Sequence, residues 1–412
     1  MALRGWSWDA ALGPAGPGDR PLLEALAAAI PDEAVEAAIE ASGTRQQRRR
    51  RLPTHLVVTL VVAMGLWAAE SMRHVLAEVV AGWREGPAGR RAEGARRRSP
   101  WRLPSTAAIV QARQRAGAWL LWKVFQTVAG PIATLETRGA FLGGLRLMAV
   151  DGTTLDLADT TENERAFGRP TTARGTKRGA FPQLRVVALI ETGTHALCDA
   201  VLRPCHRSEA PAAIRLLRAV GPGMLLLWDR GFHSYAMVRA TLAREAHFLG
   251  RTKRNVVLQP TEVLADGSFL AAIYPTPQAR RRGEAGIVLR VIEYTLDSPA
   301  GPGREKYRLI TSLLDERAFP AAQLAATYHE RWEIETALDE VKVHQWAHPR
   351  PLRSKHPREV VQEVYGLMLA HLAIRTLMHQ AALREGLDPD RLSFTGALRV
   401  LRRAIPRARA SW

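Results

Sequence analysis

The sequence predicts an α/β core, interrupted by a β-rich insertion and flanked by helical regions at both ends. Between residues 141 and 254, short apolar runs rich in β-branched residues alternate with helical stretches. Between 255 and 311, apolar runs are separated by DG, PG and GPG turns. Outside these limits most segments read as helices.

In chain order, "RPLLEALAAAIPDEAVEAAIEAS" reads as two short helices broken at Pro31. The basic run "RQQRRRRLP" follows, carrying Arg48, Arg49, Arg50 and Arg51. "LVVTLVVAMGLWAA", Leu56 to Ala69, falls short of the roughly 20 residues a bilayer requires and reads as a buried helix. "REGPAGRRAEGARRRSPWRLP" is a basic Gly/Pro-rich loop, expected to act as a mobile joint. The next helix is expected to start at the cap residue Ser105, and it carries Arg113 and Arg115 as candidates for contact with a polyanion or as solvated arginines.

"LRLMAVDGTTLDL" is a strand leading into Asp151, and "MLLLWDRGF" a strand running into Asp229. Between them, two strands joined at Gly193 precede a helix ended by glycine. From about Phe319 to Val343 the apolar residues Leu324, Ala325, Ile334, Leu338 and Val341 predict one continuous helix, with Pro320 in its first turn. "SKHPREVVQEVYGLMLAHLAIRTLMHQAAL" is a long amphipathic helix, and a basic tail follows. The expected division is 1–98 (helical, DNA-binding), 99–140 (helical connector), 141–254 (core, first part), 255–311 (insertion), 312–350 (core, second part) and 351–412 (helical).

The 412 residues suffice for a large core, and 47% hydrophobic content excludes a disordered chain. Lys and Arg number 58 against 40 acids, a net charge of +18, which favours a polyanionic partner such as nucleic acid. Two cysteines, Cys198 and Cys205, suit a reducing compartment and exclude a disulfide framework or a cysteine-based zinc site. The N-terminus has no basic start followed by an apolar run, so a cytoplasmic protein is expected, with no membrane partner. No aromatic-rich RNA-binding motif occurs.

Within the 319–343 helix, Tyr328, Arg331, Glu335 and Lys342 fall in one sector of roughly 60°. Arg331 and Glu335 alone could be a surface pair. A carboxylate flanked by cations and a hydroxyl also fits a metal ligand among phosphate clamps. An Asp at the end of a buried strand is costly unless paired, hydrogen-bonded or metal-bound. Asp151 and Asp229, side by side with Glu335 over them, would form a hard-oxygen site for Mg²⁺ or Mn²⁺.

The spacing Tyr-x2-Arg-x3-Glu-x6-Lys at Tyr328, Arg331, Glu335 and Lys342 resembles the signature of the DDE transposases of the insertion-sequence-four family. "AVDGTT" and "LLLWDRGF" are similar to that family's two aspartate blocks, and residues 22–53 resemble its helical N-terminal region. The resemblance implies a ribonuclease-H-like core that cuts DNA at element ends and joins those ends to target DNA. Asp151, Asp229 and Glu335 would be catalytic residues holding two divalent ions, while Tyr328, Arg331 and Lys342 would hold phosphates. A homodimer on double-stranded DNA is expected. The alternatives are a DNA-binding protein with an inert core, or a nuclease that cuts without joining. Tyr307, with Lys306 and Arg308 beside it, is expected either to stack an extruded base or to pack against its sheet.

Overall fold

The computed structural model describes residues 28–45, 52–85, 102–171, 178–253, 255–297, 304–346 and 350–407. Arg48 to Arg51, most of the expected joint and the last residues of the basic tail lie outside them.

Helix α1 (Asp32–Ala41) starts directly after Pro31, which lacks the donor that a helix interior would need. The apolar segment forms α2 (Thr54–Leu66), buried on nearly every side. No helix among the described residues is long and apolar enough to cross a membrane. Then come α3 (Met72–Glu85) and α4 (Thr106–Val128). The Ser105 hydroxyl accepts from the Ala108 N–H at 3.3 Å, the cap expected of it. Gly117, at φ +73°, breaks the regular turn of α4. The Gln362 amide donates to the Arg113 and Gly117 carbonyls at 2.7 and 2.8 Å, so the break leaves neither acceptor bare.

Strands β1 (Leu145–Asp156), β2 (Gln183–Glu191), β3 (Ala196–Pro204), β4 (Met224–Trp228) and β5 (His247–Arg251) lie side by side in the order β3-β2-β1-β4-β5. β1 runs parallel to β4, and β4 to β5; β2 is antiparallel to both its neighbours. That order and polarity make a ribonuclease-H-like sheet. Helix α5 (Thr161–Phe167) lies between β1 and β2, α6 (Ala210–Leu216) between β3 and β4, and α7 (Tyr235–Leu242) between β4 and β5.

The region 255–311 supplies β6 (Phe269–Ile273), a short α8 (Pro277–Arg281), β7 (Ile287–Asp297) and β8 (Arg304–Thr311). These strands extend the core sheet. Leu309, Ile310 and Thr311 of β8 pair antiparallel with Arg251, Gly250 and Leu249 of β5. Among the described residues the sheet has ten strands, counting two-residue pieces at Phe141–Leu142 and Glu262–Val263.

The expected single helix over 319–343 is instead three pieces. α9 (Ala321–His329) and α10 (Trp332–Asp339) meet at Glu330–Arg331, and a π-helical turn covers Glu340–Gln345. At the joint the hydrogen bonds tighten to i,i+3: Arg331 N–H to the Tyr328 carbonyl at 3.1 Å, and Ile334 N–H to the Arg331 carbonyl at 3.3 Å. At the far end they widen to i,i+5, with Trp346 N–H on the Val341 carbonyl at 3.1 Å.

Helix α11 (Pro357–Glu385) is followed by α12 (Phe394–Arg407). Much of α11 is buried, because α2, α4 and the sheet pack around it. Its crossing with α2 is close: a Cβ on Gly366 would lie 2.5 Å from the Val61 carbonyl oxygen. One sheet face, with Ala149, Ala188, Leu225 and Leu227, packs into the core shared with α9, α10 and α11. The other face, with Met148, Val150, Leu226 and Trp228, packs on α6 and α7. Cys198 and Cys205 are buried and free.

Candidate active site

Alternation along the strands decides where the acids point. Val150 and Trp228 are paired neighbours on β1 and β4 and face α6 and α7. The next residues, Asp151 and Asp229, therefore turn to the opposite face, toward α9 and α10. Asp229 lies just past the end of β4, as its sequence context predicts. Asp151 does not end its strand. β1 continues to Asp156 because its antiparallel pairing with β2 runs on to Gln183. Asp151 stands at the level where β4, its parallel partner, stops.

Both aspartates hold a neighbouring backbone N–H. Asp151 Oδ1 accepts from Gly152 and Asp229 Oδ1 from Gly231, each at 2.7 Å. Burial pushes the Asp151 carboxyl up to about 6. The Gly152 hydrogen bond and the Arg331 charge pull it back down, while Asp229 and Glu335 push it further up. Asp229 and Glu335 thus lie close enough to Asp151 to disfavour its charge.

Arg331, at the joint between α9 and α10, is buried and sits between Asp151 and Glu335. Its Nη2 donates to Glu335 Oε1 at 2.9 Å, and its Nη1 is 3.5 Å from Asp151 Oδ2. Its guanidinium also lies over the Trp332 ring, 4.9 Å from the centroid. An exposed surface pair of Arg331 and Glu335 is excluded, since the guanidinium reaches inward to β1. Tyr328 is also buried. Its hydroxyl donates to the Trp228 carbonyl at 3.3 Å, and burial raises its pKa well above the usual phenol value. Lys342, in the π-helical turn, lines a narrow gap with Thr153, two residues beyond Asp151 on the same sheet face. Tyr328 and Arg331 therefore reach the ends of β4 and β1, while Lys342 lies farther along β1 on the side of β2, and no single straight helix carries the row.

Two expectations change. Arg113 is fully buried, not presented to DNA. It donates to Ser354 Oγ at 3.0 Å, the Glu359 carbonyl at 2.9 Å and Gln362 at 3.3 Å, so its guanidinium ties α4 to α11. Arg115 is exposed on the same helix. Tyr307 does not offer an open ring. It lies between Tyr294, stacked at 5.3 Å and 19°, and the Arg251 guanidinium 4.0 Å from its centroid. Cross-strand pairing with Tyr294 explains this, and it is the sheet-packing alternative. The arginines at 48–51 lie outside the described residues.

Sequence reasoning missed Trp332, half exposed against Arg331, although a Trp on the solvent side of a helix start was a visible signal. It also missed Asp266. The Pro320 cap position has no side-chain acceptor, and Asp266 Oδ2 from the insertion accepts the Ala321 N–H at 2.8 Å instead. Asp266 also pairs with Arg290, whose buried guanidinium donates to the Phe319 carbonyl at 2.7 Å. The insertion thereby fixes the start of the helix that leads to Glu335.

Fold and site together define a ribonuclease-H-like protein with carboxylates gathered where its central parallel strands diverge. Residues 20–126 match the family "Insertion element 4 transposase N-terminal", and residues 142–373 match the family "Transposase DDE domain". The chain therefore belongs to the DDE transposases of the insertion-sequence-four family. It is 29% identical over 389 residues to the transposase InsG for insertion sequence element IS4 of Escherichia coli (strain K12), covering 93% of this chain and 83% of that one. The putative transposase InsZ of the same organism is 30% identical over 221 residues, 52% of this chain and 66% of that one. Among solved structures, a cryo-EM piggyBac transposase synaptic complex with hairpin DNA aligns at a TM-score of 0.47 with 13% identity, over 93% of this chain and 80% of that one.

Proposed function

We propose that this transposase binds the ends of an insertion sequence, cleaves the DNA there and joins the ends to a target. The observation that carries the reading is that Asp229 and Glu335 both lie near Asp151, with the buried Arg331 bridging Asp151 and Glu335. Close carboxylates on buried strands are unfavourable on their own. Their oxygen-only donor set fits a hard divalent cation, Mg²⁺ or Mn²⁺. Asp151, Asp229 and Glu335 would hold a pair of such ions, which supply Lewis-acid polarisation and charge neutralisation for in-line phosphoryl transfer.

The chain's own residues do the positioning. Arg331 can present two parallel N–H groups to a phosphate once Asp151 and Glu335 have other partners. Lys342 adds a point charge farther along β1, and Tyr328 keeps its phenolic proton and stays a donor. The exposed Arg115 and the arginines at 48–51 would hold element ends. Two ends call for two copies of the chain, so the working form is a homodimer on DNA.

The test is a strand-transfer assay with pre-cleaved end DNA and supercoiled target. End-to-target joining that requires a free 3′-hydroxyl supports the reading. Cleavage without joined product would make the protein a nuclease on this core, and binding without either would make it an inert copy.

A further inference from the structure

We infer that His195 and Arg375 are positioning residues for Glu335, gripping the segment that carries it on either side, at Glu333 and Glu340. The inference rests on the reading of Glu335 as a metal-holding carboxylate.

Glu335 is poorly fixed by its own contacts. Its side chain is 42% exposed, and its hydrogen-bond partner, Arg331, sits one turn earlier on the same segment and moves with it. Helix α10 is short, with a tightened joint before it and a π-helical turn after it. Ile334, Ala337 and Leu338 hold it against the core, but apolar contacts are not directional. Directional bonds must come from elsewhere.

They come from the opposite side of the helix. Two residues advance a helix by about 200°, so Glu333 points away from the face of Glu335. There Glu333 Oε2 meets His195 Nε2 at 2.7 Å. His195 follows the short turn between β2 and β3 and is almost fully buried. Five residues beyond Glu335, Glu340 is held by α11. Arg375 Nε donates to its Oε2 at 2.8 Å, Arg375 Nη2 donates to its Oε1, and His371 Nε2 donates to its Oε2 at 3.1 Å. Arg375 Nη2 also meets His195 Nδ1, which joins the two grips into one network. Burial works against the Glu340 charge, but His195, His371 and Arg375 outweigh it and hold the carboxyl well below the usual range. These bonds tie Glu335 to two elements of the packed core, the buried β2–β3 turn and helix α11.

His195, Glu333 and Asp390 also place one nitrogen and two oxygens within 4.8 Å of one another, a geometry that a cation could use. The arrangement around the ring argues against it. With Arg375 donating to Nδ1, the ring is neutral and carries its proton on Nε2; the imidazolium, whose Nδ1–H would turn instead to Glu340 Oε1 3.5 Å away, carries one on Nε2 too. In either state Nε2 donates to Glu333 and has no lone pair for a metal.

The experiment measures Mn²⁺ alone binding to the full chain without DNA, by electron paramagnetic resonance of the free ion, beside thermal denaturation and end-DNA affinity. Removing a group that orients a metal ligand commonly costs 10- to 100-fold in metal affinity. His195 acts through Glu333, so His195→Leu should weaken Mn²⁺ binding by about tenfold, the lower end of that range, with end-DNA affinity unchanged. His195→Gln, whose amide N–H can replace Nε2–H toward Glu333, should recover most of the loss. A folded His195→Leu with wild-type Mn²⁺ affinity overturns the inference. Should that variant fail to fold, Glu333→Leu, at a partly exposed site, must show the same weakening, and wild-type affinity there overturns it equally. A Mn²⁺ ion retained in Glu335→Ala but lost in His195→Leu would make His195 a ligand of its own cation and would also overturn it. If Glu335→Ala itself binds Mn²⁺ and cleaves DNA like wild type, the assignment of Glu335 fails rather than the grip.

Discussion

Asp151→Asn should stabilise the metal-free protein at neutral pH while disabling it. The Asp151 carboxyl is raised from 3.8 to about 6 in the folded chain, first by burial and then by the neighbouring Asp229 and Glu335. A raised carboxyl means the folded state binds its proton more tightly than the unfolded state does. The contribution is therefore favourable below pH 4, is lost as pH rises through about 6, and leaves a charge penalty above it. The difference corresponds to about 3 kcal/mol, a ceiling because the side chain keeps 21% of its surface in water. Asn keeps an oxygen for the Gly152 N–H and removes the charge. Denaturant unfolding in EDTA at pH 8 and at pH 5 reads the effect. The variant should gain about 2 to 3 kcal/mol at pH 8, gain about half as much at pH 5, and lose the stabilisation that Mn²⁺ gives the wild type. An equal gain at both pH values, or destabilisation at pH 8, would refute the reasoning that burial and the neighbouring acids outweigh Arg331 at the Asp151 carboxylate.

Other outcomes follow from the same geometry. Arg331→Ala and Lys342→Ala should slow cleavage and lower the salt slope of DNA binding, by about one ion for each phosphate that the variant no longer holds, measured as end affinity against salt concentration. Arg113→Ala should cost about 3 kcal/mol in urea unfolding and leave the salt slope of DNA binding unchanged, because its partners are Ser354, Gln362 and the Glu359 carbonyl. Asp266→Ala should cost about 3 kcal/mol or more, because it leaves the buried Arg290 without its carboxylate and the Ala321 N–H without its acceptor; the loss should appear as a lower urea midpoint.

Much of the core was legible in the sequence, because a buried strand that runs into an aspartate is an unusual pattern. "LMAVDG" and "LLLWDRG" placed β1, β4 and both acids, and the buried helix α2 and the Ser105 cap were equally readable. What failed was what depends on distant partners. The burial of Arg113 is decided by α11 residues that lie 249 positions away in the case of Gln362. The break at Glu330–Arg331 was invisible because Leu324, Ile334 and Leu338 keep helical spacing straight through it. The two readings of Tyr307 could not be separated locally, because its ring partner, Tyr294, is set by strand register that no local pattern encodes. The insertion was read as β-rich but not as an extension of the core sheet, because the β8–β5 pairing joins strands separated by the whole insertion.

The central claim is that Asp151, Asp229 and Glu335 form one metal-holding catalytic set. The most direct measurement is end cleavage by Asp151→Ala, Asp229→Ala and Glu335→Ala in Mg²⁺, with end-DNA binding measured on the same preparations. The account predicts that all three lose cleavage and joining while binding end DNA with near wild-type affinity. Near-normal cleavage by any one of them would contradict it.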